Sequence, residues 1–195
     1  MLPDPIQKFI DIFSELPSIG PRQAYRLAFY CVNRGKNFIQ LLGKSVIGLS
    51  DIKLCTNCFF IHANKSELCN ICSNPQRSKD VVAIIEKETD LISLEKTGKF
   101  NGKYLIIGEL KKDGILNEAQ KLKLKHLKNQ NPDGLQEIII ATNPTAYGEL
   151  SAHAIEVEVR DSAKKMTRLG RGLPTGGELE FADADTLGAA IDNRR

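Results

Sequence analysis

Apolar residues along this chain change their period partway through. After Pro5, Ile6, Phe9, Ile10, Phe13 and Leu16 recur at helical spacing, with Pro17 ending the run. A second helix opens at Pro21, with Ala24, Leu27 and Ala28 inward, and Cys31 between Tyr30 and Val32 reads as a core thiol. Residues 38–52 continue the helical period through Phe38, Leu41, Leu42, Val46 and Leu49. Beyond residue 80 the pattern becomes continuous: Val81-Val82-Ala83-Ile84-Ile85, Tyr104-Leu105-Ile106-Ile107 and Ile138-Ile139-Ile140-Ala141. Such runs predict strands buried on both faces. Met166-Thr167-Arg168-Leu169 predicts a short fourth strand. Between the strands lie three helical stretches. One starts near Thr89, carries Leu91, Ile92 and Leu94, and is capped by Gly98. The next spans 111–129 with Ile115, Leu116, Ala119, Leu122, Leu124 and Leu127 as its covering face. The third spans 148–160 with Leu150, Ala154 and Val157 inward. Strand and helix in alternation predict a parallel central sheet.

The two periods are separated by a segment that follows neither. It holds Cys55, Cys58, Cys69 and Cys72, a C-x2-C pair repeated after ten residues. Two such knuckles bring four thiolates around one ion, and an all-sulfur tetrahedral set suits zinc or iron. Zinc is expected, one per chain. With all four positions filled, the ion holds structure and does no chemistry. A segment this short buries no core of its own, so the metal must supply its fold. The competing assignment, two disulfides, fits poorly with an odd fifth cysteine and an N-terminus without signal-peptide character. The reduced cysteines and Met1-Leu2-Pro3-Asp4-Pro5 lead to an expected cytoplasmic location.

Charge adds less. The 195 residues carry 27 Lys and Arg against 24 Asp and Glu, a net +3. That excess is too small to establish a nucleic-acid partner, so the placement of charge must decide. No apolar run reaches the roughly 18 residues of a membrane span. Gly43-Lys44-Ser45 imitates the end of a phosphate-binding loop, but Phe38 stands where its first glycine belongs and no strand precedes it. The lysines at 121, 123, 125 and 128 read as the solvated face of a helix.

Leu16-Pro17-Ser18-Ile19-Gly20-Pro21 is a tight turn opening straight into a helix. Gly20 permits close approach of an anion, the helix start favours negative charge, and Arg22 and Arg26 share one face beside it. The plainer alternative is an ordinary helix pair with a surface turn. The segment resembles a helix-hairpin-helix, which binds the DNA backbone without reading bases; Ser18 stands where the commonest hairpin has a second glycine. Downstream, Glu86 and Asp90 follow one strand and Thr142-Asn143-Pro144 another. This arrangement resembles a Toprim domain, in which a glutamate and an aspartate pair hold Mg²⁺ for phosphoryl transfer. Here the aspartate pair is missing, which leaves a poor Mg²⁺ site.

Hairpin, four-cysteine knot, Toprim-like domain and the tail Arg168-Leu169-Gly170-Arg171-Gly172-Leu173-Pro174-Thr175-Gly176-Gly177-Glu178-Leu179-Glu180-Phe181-Ala182-Asp183 resemble, in that order, the bacterial RecR family of recombination mediators. The resemblance covers the whole chain. It departs at Glu109, within a usual glycine pair, and at Tyr147, where an acidic residue is common. It implies a multidomain α and β protein: a helical helix-hairpin-helix domain at 1–53, a zinc finger at 54–77, a Toprim domain with a parallel sheet at 79–173, and a C-terminal segment at 174–195 making subunit contacts. It further implies a non-catalytic, nucleoid-associated clamp and adaptor acting with RecO, and in many bacteria RecF, to load RecA at single-stranded gaps. The implied assembly is a ring-like homotetramer, with Gly20, Arg22 and Arg26 on DNA. Glu86 and Asp90 are then expected to face a cationic partner, RecO, as carboxylates uncompensated within the chain; capping of the next helix is the alternative for Asp90. The competing function is a Mg²⁺-dependent Toprim nuclease or primase.

Overall fold

The computed structural model describes residues 2–194 and divides into two compact units, Met1–Ile52 and Lys53–Arg195. The first is helical: α1 (Asp4–Ser14), α2 (Pro21–Arg34) and α3 (Lys36–Ile47). Pro21 occupies the first turn of α2, where its missing N–H costs nothing. Ile10 of α1 meets Ala24 and Ala28 of α2, with Ile6, Phe9, Phe13 and Ile19 packed around them. The two alanines let the helices approach closely, and Cys31 is buried as expected of a core thiol. Gly35, with φ +86°, reverses the chain between α2 and α3. The α3 helix ends earlier than the periodicity predicts. It gives way to a 3-10 turn over Gly48–Asp51, and Leu41, Val46 and Leu49 face out.

The second unit begins with a two-stranded antiparallel pair, β1 (Lys53–Leu54) and β2 (Ile61–His62), followed by the single turn α4 (Asn70–Ser73). Then come β3 (Val81–Ile85), α5 (Glu88–Lys96), β4 (Lys103–Ile106), α6 (Glu118–Gln130), β5 (Leu135–Ala141), α7 (Ala146–Val159) and β6 (Ala163–Arg168). A second 3-10 turn at Leu179–Phe181 and α8 (Ala184–Asp192) complete it. The sheet runs β4-β3-β5-β6, all parallel. Because the order reverses after β4, the connecting helices fall on opposite faces. Leu124, Leu127, Ala152, Ile155 and Val159 of α6 and α7 cover Val82, Ile84, Ile138 and Ile140. Leu91 of α5 packs on the other face with Ala83, Ile85, Tyr104 and Ile106. The β3 run is therefore apolar throughout because both of its faces are covered.

Several expectations shift. The α6 helix starts at Glu118, not near Lys111, because a loop turning at Gly108 and Gly114, both at positive φ, precedes it. Asn117 and Gln120 close a capping box there, and the buried Gln120 amide also donates to the Glu109 carbonyl at 2.9 Å. Ile115, Ala119 and Leu122 are exposed. The α7 helix presents a different face from the one predicted. Gly148, Ser151, Ala152, Ile155 and Val159 are buried, whereas Leu150 and Val157 are 56% and 52% exposed. Gly148 fixes that phase, since a Cβ there would lie 1.9 Å from the Asn143 carbonyl oxygen. Ile92 of α5 is also exposed, β6 starts three residues early at Ala163, and α8 was not anticipated. Among the described residues no helix is long and apolar enough to cross a membrane.

Candidate nucleic-acid interface and metal centre

The four-cysteine segment folds as the spacing requires. The Cys55 N–H donates to the Phe60 carbonyl at 2.8 Å, and the Phe59 N–H returns to Cys55 at 3.0 Å. Phe59 sits at φ +63°, a conformation seldom taken by a bulky residue, so the knuckle turn is strained. Opposite, the Cys69 N–H points at Cys55 Sγ (3.4 Å) and the Cys72 N–H at Cys69 Sγ (3.5 Å). All four sulfurs are buried, free of disulfides, and lie within 4.8 Å of one another. Zinc–sulfur bonds of about 2.3 Å in a tetrahedron separate sulfurs by roughly 3.8 Å. The Cys58–Cys69 separation of 3.5 Å is close to that. The residues thus fit a metal ion. Their protons are not independent: a hydrogen bond from Cys58 holds Cys69 well below the usual thiol range, and the same bond with burial pushes Cys58 far above it. A bound cation takes the place of those shared protons.

The knuckle also finishes the sheet. The β4 strand is an edge, and its Ile106 N–H donates to the Cys58 carbonyl at 3.0 Å, covering one otherwise unpaired group. The Phe59 ring lies 4.9 Å from the Lys123 ammonium, which donates to the Ile106 and Ile107 carbonyls at 3.0 and 3.4 Å. Burial draws the Lys123 pKa down, opposed by Glu88. Lys123 is therefore no member of a solvated lysine face; it clamps the end of β4.

In the helical unit, the turn between α1 and α2 presents what a phosphate needs. The Gly20 and Arg22 N–H groups take no partner among the described residues, and a Cβ on Gly20 would meet open space. Arg22 and Arg26 are exposed and, among the described residues, paired with no carboxylate. Both line a groove of about 740 Å³ along α1 and α2. Ser18 adopts φ +65°, so the hairpin has the left-handed residue that glycine ordinarily supplies.

The strand ends of the sheet differ from expectation in one respect. Glu86, 8% exposed just beyond β3, is not uncompensated. Its Oε1 accepts from the Leu110 N–H at 3.2 Å and lies 3.8 Å from the Lys87 ammonium, and its Oε2 accepts from Asn143 Nδ2 at 2.9 Å. The amide of Asn143, reaching in beyond β5, satisfies this carboxylate by hydrogen bonding without bringing a second negative charge. A second carboxylate at that place would have repelled it and called for a cation. Asp90 accepts from the Lys87 N–H at 2.9 Å and so caps the start of α5, the role its spacing allowed as an alternative. Sequence reasoning missed two further constellations. Glu149 pairs with both Arg168 and Arg171, and Arg168 also reaches Glu156 at 3.1 Å, which ties the glycine-rich segment to α7. Arg77 pairs with Glu95, which also accepts from the Tyr104 hydroxyl at 2.6 Å. Burial, followed by Glu95, raises the Tyr104 pKa. Charged residues at helix spacing beside an arginine-rich stretch hinted at the first constellation; nothing local signals the second.

Comparison with known proteins agrees with this architecture. Residues 80–170 match the family model described as Toprim domain, and residues 172–195 match RecR, C-terminal. Among curated relatives, the chain is 36% identical to "Recombination protein RecR" of Roseiflexus castenholzii over 197 residues, covering 100% of this chain and 95% of that protein. It is 34% identical to the protein of that name from Paenarthrobacter aurescens, over 97% of this chain and 96% of the other. The one from Chloroflexus aurantiacus is 34% identical, over 98% and 94%.

Proposed function

The chain belongs to the RecR family of recombination proteins, and from that premise we propose that it works as a non-catalytic DNA-binding clamp and adaptor in recombinational repair. The observation that carries this reading is the hairpin: an open glycine and, among the described residues, two N–H groups without an acceptor and two arginines without a carboxylate at one helix start. Gly20, Arg22 and Arg26 hold the DNA backbone without reading its sequence. The four cysteines hold one structural zinc, because a closed all-sulfur set suits that ion and leaves no place for substrate. The domains follow as residues 1–53, 54–77, 79–173 and 174–195.

Catalysis is not part of this reading. The Glu86–Asn143 hydrogen bond stands where a Toprim enzyme needs paired carboxylates on Mg²⁺, which argues against the nuclease or primase alternative. The partner surface is the rim of the same strand ends. Asp90 faces RecO there, and Glu86, spending both oxygens internally, holds the rim in shape. RecF joins in organisms that have it, and RecA is loaded at the single-stranded gap. The exposed Ile12, Leu41, Ile47 and Leu49 of the helical unit, and Leu179, Phe181 and Ile191 of the C-terminal segment, support assembly into a ring-like tetramer. A ring multiplies weak phosphate contacts by topological closure.

Calorimetry with RecO tests the adaptor. Asp90→Ala should weaken the complex by about 2 kcal/mol if the contact is a desolvated charge pair. Zinc content should stay at one per chain. RecO binding equal to wild type removes Asp90 from the interface. Mg²⁺-dependent DNA cleavage or synthesis that is lost in Glu86→Gln would restore the enzyme.

A further inference from the structure

The segment joining the cysteine knuckle to the sheet is zipped onto the loop before β4. The Ser78 N–H donates to the Asn101 carbonyl at 2.9 Å, and Asn101 Nδ2 returns to the Gln76 carbonyl at 3.3 Å. Arg77 donates to the Gly102 carbonyl at 2.9 Å while pairing with Glu95. Position 102 must be glycine, because a Cβ there would lie 2.5 Å from the Val81 carbonyl oxygen. This zipper ends one residue short of Lys79 on one side and of Lys103 on the other. Both lysines line one cavity of about 400 Å³, together with Asn57 and Gln130. No carboxylate lines it, and among the described residues neither lysine forms an ion pair. The cleft therefore carries positive charge with no acid of its own wall to offset it.

We infer that this cleft between the knuckle and the start of the parallel sheet is a second phosphate site that grips the DNA backbone. Lysine serves phosphate as a point charge, Asn57 and Gln130 on the same lining carry amide donors, and the absence of acids leaves the attraction uncancelled. The choice of DNA as the phosphate's source rests on the proposed function; the oxyanion chemistry does not. Free phosphate compounds offer the same chemistry. A purely structural role is also open to experiment, since Cys72 lines the same cavity and a four-thiolate metal site carries negative charge that lysines can balance.

The test uses the full-length, zinc-loaded protein and a labelled duplex, with affinity followed against salt. Lys79→Gln/Lys103→Gln should weaken all sequences alike and flatten the slope of log affinity against log salt by about 1.8, or roughly 0.9 per lost contact. Lys79→Arg/Lys103→Arg should restore both. Combined with Arg22→Gln/Arg26→Gln, the losses should add. If the hairpin pair binds like wild type while the lysine pair does not, the hairpin reading fails and this site stands. An unchanged slope in the lysine pair, with zinc surrendered to chelator more readily, assigns the lysines to the metal and overturns the site. Should inorganic phosphate shift the amide signals of Lys79 and Lys103 while DNA binding is unaffected by the double substitution, the DNA assignment is overturned in favour of a small phosphate compound.

Discussion

The two units meet the need to bury apolar surface in different ways. In Lys53–Arg195, a parallel sheet takes helices on both faces, and Ile84, Ile138, Ile140, Ile155 and Val159 are sealed among one another. In Met1–Ile52, the buried centre rests on Ile10, Ala24, Ala28 and Cys31, while Leu41 and Ile47 stand 65% and 71% exposed. A unit of that size closes little core by itself. Its apolar residues are plentiful but face outward, so its stability depends on what covers them.

The sharpest way to break this comparison is to attack the larger unit where packing contributes least. Metal binding to such a knuckle involves on the order of 10 kcal/mol. Chelation, or Cys58→Ser, should therefore unfold residues 55–72 and free the Ile106 N–H, which bonds to the Cys58 carbonyl. Hydrogen exchange should accelerate there while Ile84, at the centre of the sheet, stays protected. Cys31→Ser should keep the metal. Exchange at Ile106 indifferent to chelation would separate the knuckle from the sheet.

Core substitutions come next. Ile84→Ala should cost about 2–5 kcal/mol in unfolding of the larger unit. Ala24→Leu, which forces extra volume between α1 and α2, should cost about 1–3 kcal/mol and unfold only the helical unit. A single transition affected equally by both would mean that the units are not independent. Dilution is milder: if a second copy covers the outward apolar residues, the melting of the helical unit should fall with concentration, while that of the sheet should not. The smallest effect is a gain. Ser18→Gly should stabilise the hairpin by about 1 kcal/mol, because Ser18 is held at φ +65°.

Much of this is legible in the sequence. The continuous runs at Val81, Tyr104 and Ile138 could only be covered strands, and the cysteine spacing defined its own cluster. Helix phase was harder. In α7, Leu150 and Val157 read as inward, yet the helix buries the face of Gly148, Ser151, Ala152, Ile155 and Val159, because Gly148 must pass against the Asn143 carbonyl. Close approach favours the residue with least side chain, and hydrophobicity alone cannot report that. Glu86 misled for a related reason. Its partners, Leu110 and Asn143, are 24 and 57 residues away in the chain, so its charge looked uncompensated until the fold brought them together. Lys123 resembled its solvated neighbours because the carbonyls it clamps, at the end of β4, are 16 and 17 residues away in the chain.

The central claim is that DNA is held through phosphates at the hairpin. Fluorescence anisotropy of a labelled duplex across a salt series, comparing wild type with Arg22→Gln/Arg26→Gln, tests it most directly. The account predicts weaker binding for every sequence and a salt slope shallower by about 1.8. Superimposable curves for the two proteins would contradict it.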